Sequence, residues 1–129
     1  MARLWLVALT LLLGSCSQMT DVSARYIDGK LAFVPIQRAV DCVRDFAIVE
    51  RATNRPVWTI AAVGTECVAA MPIRYGQTAS TTKVVARRLR PNTIYRIEGI
   101  AEGSNYLGGA FVISAKRAWQ LTDLPRSMN

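Results

Sequence analysis

Hydrophobic positions follow two regimes along this chain. Residues 4–13 form one apolar run of about ten residues behind a single charge at Arg3, and Leu13-Gly14-Ser15-Cys16 closes it. A membrane-spanning helix needs roughly 20 apolar residues, so this run has the length of a secretory leader core instead. Residues 17–24 (SQMTDVSA) are small and polar and read as a short tether. From residue 25 onward the apolar positions come in short runs broken by Gly, Pro, Asn and Ser, the pattern of strands joined by turns.

Asp28-Gly29 is a turn signal, and Leu31, Phe33 and Val34 after it predict a strand over 30–35. Residues 41–51 and 56–63 are rich in Val, Ile and Phe and flank Thr53-Asn54-Arg55-Pro56, which predicts a hairpin. With the turn centred between Asn54 and Arg55, Cys42 falls opposite Cys67, Phe46 opposite Val63, Ile48 opposite Ala61 and Val49 opposite Ile60. Directly opposed Cβ atoms lie about 4.5–5.5 Å apart, near the disulfide range. A helix is the competing reading of 36–47, since Ile36, Ala39, Val40, Val43 and Ala47 fit its spacing. The hairpin is preferred because a helix leaves the cysteine symmetry to chance.

Residues 77–82 (QTASTT) read as a polar loop after Tyr75-Gly76, and 83–89 as a strand. Along 94–102, Tyr95, Ile97, Gly99 and Ala101 share one strand face, and Arg96, Glu98, Ile100 and Glu102 the other. A turn centred on Ser104 opposes Tyr95 with Ile113, Ile97 with Phe111, Gly99 with Gly109 and Ala101 with Leu107. Residues 107–115 form the last strand, with Trp119 and Leu121 extending or capping it. Short strands at this spacing predict an all-β sandwich or barrel.

Leu13-Gly14-Ser15-Cys16, behind a short basic start and an apolar core, resembles the lipobox of bacterial lipoproteins. The resemblance implies removal of residues 1–15, acylation of Cys16, an acylated N-terminus and tether over 16–24, a domain over 25–125 and a tail over 126–129. Two or more acyl chains anchor stably where one does not. Ser17, in place of the Asp that tends to retain such proteins at the inner membrane, favours the outer membrane, with the domain facing the periplasm.

Without Arg3, the net charge of +7 becomes +6, and the remaining chain suits one domain. Most of the basic residues are Arg. Such a surface suits anionic lipid, lipopolysaccharide phosphates or an acidic partner, or is simply solvated charge. No nucleic-acid motif is present, and nucleic acid is not an expected partner of an exported chain. There is no histidine, which excludes Ser-His-Asp and Cys-His mechanisms. With Cys16 assigned to lipid, Cys42 and Cys67 remain as an even pair in an oxidising compartment and read as a disulfide. Such a bridge is worth roughly 3–4 kcal/mol in the chain-entropy model. No metal or other cofactor is expected, because no further Cys or His completes a ligand set.

Leu89-x-Pro91-x-Thr93-x-Tyr95-x-Ile97 resembles the segment that leads into the tyrosine corner of fibronectin type III domains. In that family the Tyr ring packs inward and its hydroxyl bonds upstream backbone. The resemblance implies a single antiparallel β-sandwich of the Ig-like or fibronectin type III-like kind. Trp58 and the cysteine pair depart from that family's pattern.

Arg87, Arg88 and Arg90 form the densest basic cluster, a candidate anion or partner patch. Arg74-Tyr75-Gly76 and Trp119 suit a binding patch, core packing accounts for Tyr75 and Trp119 equally well, and Trp58 reads as core. Asp41, Asp45, Glu50 and Glu66 lack calcium-loop spacing. Gly108-Gly109 reads as a bend or bulge, not a phosphate loop. The expected function is a non-catalytic binding or structural module of the cell envelope, with an envelope protein or anionic envelope surface as partner. Inhibition of a hydrolase through the 77–82 loop is the first alternative, and hydrolysis by a carboxylate pair the second.

Overall fold

The computed structural model describes residues 19–64, 66–77, 82–103, 105–114 and 117–120. Cys16, most of the 77–82 loop, Leu121 and the 126–129 tail lie outside them. The strands are β1 (Met19–Ile27), β2 (Lys30–Pro35), β3 (Val43–Glu50), β4 (Arg55–Ala61), β5 (Ile73–Arg74), β6 (Thr82–Val84), β7 (Ile94–Ala101), β8 (Asn105–Ser114) and β9 (Arg117–Gln120). Residues 36–42 are loop and bends, so the helical reading of 36–47 does not hold. The 83–89 strand is only β6; residues 85–90 run irregularly toward β7.

The sheet is one continuous, strongly curled half-barrel in the order β5-β2-β1-β8-β7-β3-β4-β6, with β9 also pairing β8. This corrects the two-sheet sandwich. The physical reason is β1, which belongs to both halves. Met19, Thr20 and Asp21 pair in parallel with Tyr106, Leu107 and Gly108, while Val22 to Ile27 pair antiparallel with β2. Where β1 leaves β8, β9 takes over that edge, pairing Phe111–Ser114.

It also corrects the tether, because residues 19–24 are strand. Their polarity is misleading: Thr20, Val22, Ser23 and Ala24 are all buried, small side chains where backbone approaches backbone. The close approach is set by glycines on β8. A Cβ on Gly109 would collide with the Val22 carbonyl oxygen, and one on Gly108 would stand 2.7 Å from the Met19 sulfur. Gly108-Gly109 is therefore a crossing point inside a regular strand, not a bend.

Asp28 and Gly29 both have positive φ, 51° and 76°, the two-residue turn that suits a hairpin. The β3–β4 hairpin exists with a different register. Its turn is 51–54, closed by Asn54 at φ 56°, and the pairs are Phe46 with Ile60 and Ile48 with Trp58. The Cys42–Cys67 disulfide forms nonetheless, with Cα atoms 5.1 Å apart. After Ala61 the chain leaves the ladder and returns at Ala69, which bridges to Val43. The detour absorbs the three-residue difference. In the β7–β8 hairpin the turn centres on Gly103, pairing Tyr95 with Phe111 and Ile97 with Gly109.

The curl brings the β2 face over the β3 and β8 faces. Phe33 meets Phe46 at 5.3 Å and Phe111 at 5.6 Å between ring centroids. Phe46 continues to Trp58 at 5.9 Å, and Tyr95 stacks on Phe111 at 5.7 Å. Trp58 is thus core. The Tyr95 hydroxyl, buried with its ring, accepts a 2.9 Å hydrogen bond from the Arg90 backbone N–H, which ties the irregular 85–90 segment to β7. A buried hydroxyl needs such a partner.

Two substitutions test this frame by urea unfolding. Tyr95→Phe removes the corner bond and should cost about 1–2 kcal/mol with the fold retained. Gly109→Ala should cost more, about 3 kcal/mol, because it forces β1 away from β8.

Candidate functional site

Strand alternation puts Tyr95, Ile97 and Ala101 of β7 into the core and leaves Arg96, Glu98 and Ile100 on the outer face. Pairing then fixes their neighbours. Thr59, Ala47, Glu98 and Gly108 form one row across four strands, and Asp45, Ile100 and Tyr106 the next. Ala110 lies opposite Arg96. The small residues Ala47, Gly108 and Ala110 leave the face low, so a trough of about 790 Å³ runs across it. The volume lies within the range of small-molecule and partner-side-chain sites, about 300–1,000 Å³.

One wall of the trough is apolar. Met19 reaches over Gly108 from β1, and Met19, Ile100 and Tyr106 are all exposed. The other end is polar. Arg96 donates from Nε to Glu98 and from a terminal nitrogen to Asn54 Oδ1 at 2.6 Å, and Arg51 stands at the rim. An apolar floor with a fixed polar end binds by burial and orients by charge and hydrogen bonding.

The residues singled out in the sequence are distributed differently. Arg90 is taken up by Glu50 at 2.8 Å, which commits one member of the 87–90 cluster to a structural ion pair. Arg87 and Arg88 remain exposed, while the Arg87 backbone receives the Tyr75 hydroxyl proton and donates its own N–H to Val57. Tyr75 packs edge-on against Trp58 at 5.3 Å and serves the core. Trp119 lies on β9. Of the four carboxylates, Asp45 lines the trough, Glu50 faces Arg90, and Asp41 and Glu66 are exposed elsewhere. Sequence reasoning missed the trough because it placed Met19 in a tether. Its signal is present in the small outward residues Gly108 and Ala110 opposite a charged pair.

Burial pushes the Tyr75 hydroxyl up to about 12, with Tyr95 nearby adding to the shift and the bond to Arg87 opposing it. The folded value exceeds the ordinary 10.0, so the fold favours the neutral phenol. Its contribution is complete below pH 10 and is lost as pH rises toward 12. Unfolding midpoints across that window should fall in the parent chain and fall less in Tyr75→Phe.

Comparison of the chain with protein-family models, with curated proteins and with solved structures finds no match.

Proposed function

We propose that this chain is a lipid-anchored, non-catalytic binding module of the cell envelope, held by Cys16 at the periplasmic leaflet of the outer membrane, and that the trough is where it holds an envelope protein. The observation that carries this reading is the trough itself: an outer sheet face with an apolar wall of Met19, Ile100 and Tyr106 and a polar end at Arg96 and Glu98. Exposed apolar groups gathered beside a polar rim mark interaction surfaces. The Cys42–Cys67 bridge supports the address, since disulfides persist in oxidising compartments. The Leu13-Gly14-Ser15-Cys16 leader supports the anchor.

The test is crosslinked capture from the envelope with the acylated chain. The parent should retain a reproducible protein partner. Ala110→Trp fills the trough from the solvent side and should reduce capture about tenfold, the equivalent of 1.4 kcal/mol, at unchanged unfolding midpoint. Equal capture by the filled variant, or no reproducible protein partner with the parent, counts against this function.

A further inference from the structure

We infer that the outer face of the β1–β2–β5 ribbon is a second binding surface, one that lies against an anionic lipid headgroup layer. It is separate from the trough and rests on the envelope placement proposed above.

The pairing assembles the surface. Ala32 of β2 lies opposite Arg25 of β1 on one side and Arg74 of β5 on the other. Adjacent strands are about 4.8 Å apart, so the two arginines stand about 10 Å from each other across an alanine. The neighbouring row, Ala24, Phe33 and Ile73, is buried in the core, which assigns Arg25 and Arg74 to the outer side, where both are exposed. Lys30 is exposed at the hairpin end of the same ribbon.

Two more cations come alongside from a distant part of the chain. Gly76 follows β5, and a Cβ there would lie 3.2 Å from the Cβ of Ala86. The Tyr75 hydroxyl donates to the Arg87 carbonyl. These contacts hold the 86–88 segment, with exposed Arg87 and Arg88, against the β5 edge. The carboxylates of the ribbon, Asp21 and Asp28, are at its two ends, beyond the Arg25–Ala32–Arg74 row. Among the described residues neither Arg25 nor Arg74 makes an ion pair.

The shape selects the ligand. Ala32 is buried between the two exposed arginines, so no pocket opens between them, and the row suits an extended anionic surface better than an enclosed anion. Guanidinium groups match phosphate oxygens in a bidentate way. Met19 begins β1 only three residues after Cys16, and three residues reach at most about 10 Å. The ribbon itself begins at Val22, where β1 joins β2, six residues after Cys16, so an anchor at Cys16 holds its start within about 20 Å of the headgroups.

The purified full chain is titrated with vesicles of phosphatidylcholine alone and of phosphatidylcholine and phosphatidylglycerol in equal parts, at rising salt. An acyl anchor serves both compositions alike, so the difference between them isolates the headgroup contribution. The parent should prefer the anionic vesicles, and the preference should fade with salt. Arg25→Gln and Arg74→Gln should each reduce the preference roughly fivefold, Arg25→Lys with Arg74→Lys should keep most of it, and Arg55→Gln on β4 should leave it unchanged.

Equal loss in Arg55→Gln would show that net charge acts without this face, and an unchanged preference in Arg25→Gln and Arg74→Gln would remove the face altogether. Equally tight retention on duplex DNA at the same salt would overturn the assignment to lipid. Failure of Cys16 anchoring in cells would instead strike the proposed function and leave the vesicle preference intact.

Discussion

The closest constraint in this molecule is the passage of β1 across β8 at Gly109. The Val22 carbonyl occupies the space a side chain would need there, and Met19 occupies that space at Gly108. Because β1 can come this near, it pairs in parallel with β8 over three residues and then turns its other edge to β2. A single strand thus joins the β5-β2 flap to the β8-β7-β3-β4 wall, and the curl of the sheet follows. The core follows in turn, since Phe33 on the flap reaches Phe46 and Phe111 on the wall only when the flap is folded over.

Both proposed surfaces depend on that same crossing. Met19 becomes a wall of the trough because β1 runs beside β8, and Arg25 lies on the ribbon's outer face because β1 continues past the crossing in regular alternation. At the far end of the sheet, the irregular 85–90 segment is held at several points, among them the Arg87 N–H bond to the Val57 carbonyl. Tyr95 accepts from the Arg90 N–H, Glu50 takes the Arg90 guanidinium, and Tyr75 donates to the Arg87 carbonyl. The cluster that reads in the sequence as a patch of charge is in the fold largely a strap, with its backbone engaged and Arg87 and Arg88 left outward.

How much was legible from the sequence depends on parity. The β7–β8 register differs from the expected one by two residues, which keeps every side chain on its face, so Tyr95, Ile97, Ala101, Leu107 and Phe111 were all readable as core. The β3–β4 register differs by three. Asn54 closes that turn in the left-handed region instead of centring it, so the expected Val49–Ile60 and Phe46–Val63 pairs gave way to Phe46–Ile60 and Ile48–Trp58. The disulfide was still legible because its cysteines lie beyond the ladder, where the 62–68 detour joins them. The Tyr95 hydroxyl bond was legible through the resemblance of Leu89-x-Pro91-x-Thr93-x-Tyr95 to the fibronectin type III segment. The single curled sheet was not, because Thr20 and Ser23 are small polar residues buried by backbone proximity, and hydrophobic patterning carries no trace of that.

The two surfaces also differ in the kind of force they use, which bears on how they could work together. The trough offers apolar area, with Arg96 already engaged by Glu98 and Asn54 and Arg51 only at the rim; its binding should therefore be shorter-ranged and less dependent on salt than that of the ribbon. The ribbon offers arginines without carboxylate partners among the described residues and little apolar area, so its attraction is long-ranged and screened. In the proposed placement, a domain tethered at Cys16 needs orientation more than affinity, because such an anchor supplies local concentration. Charge on the ribbon can supply that orientation without competing for the trough. The ribbon and the trough lie on opposite arms of a sheet that turns back on itself at β1, so a ribbon held against headgroups leaves the β7–β8 face available to a protein partner.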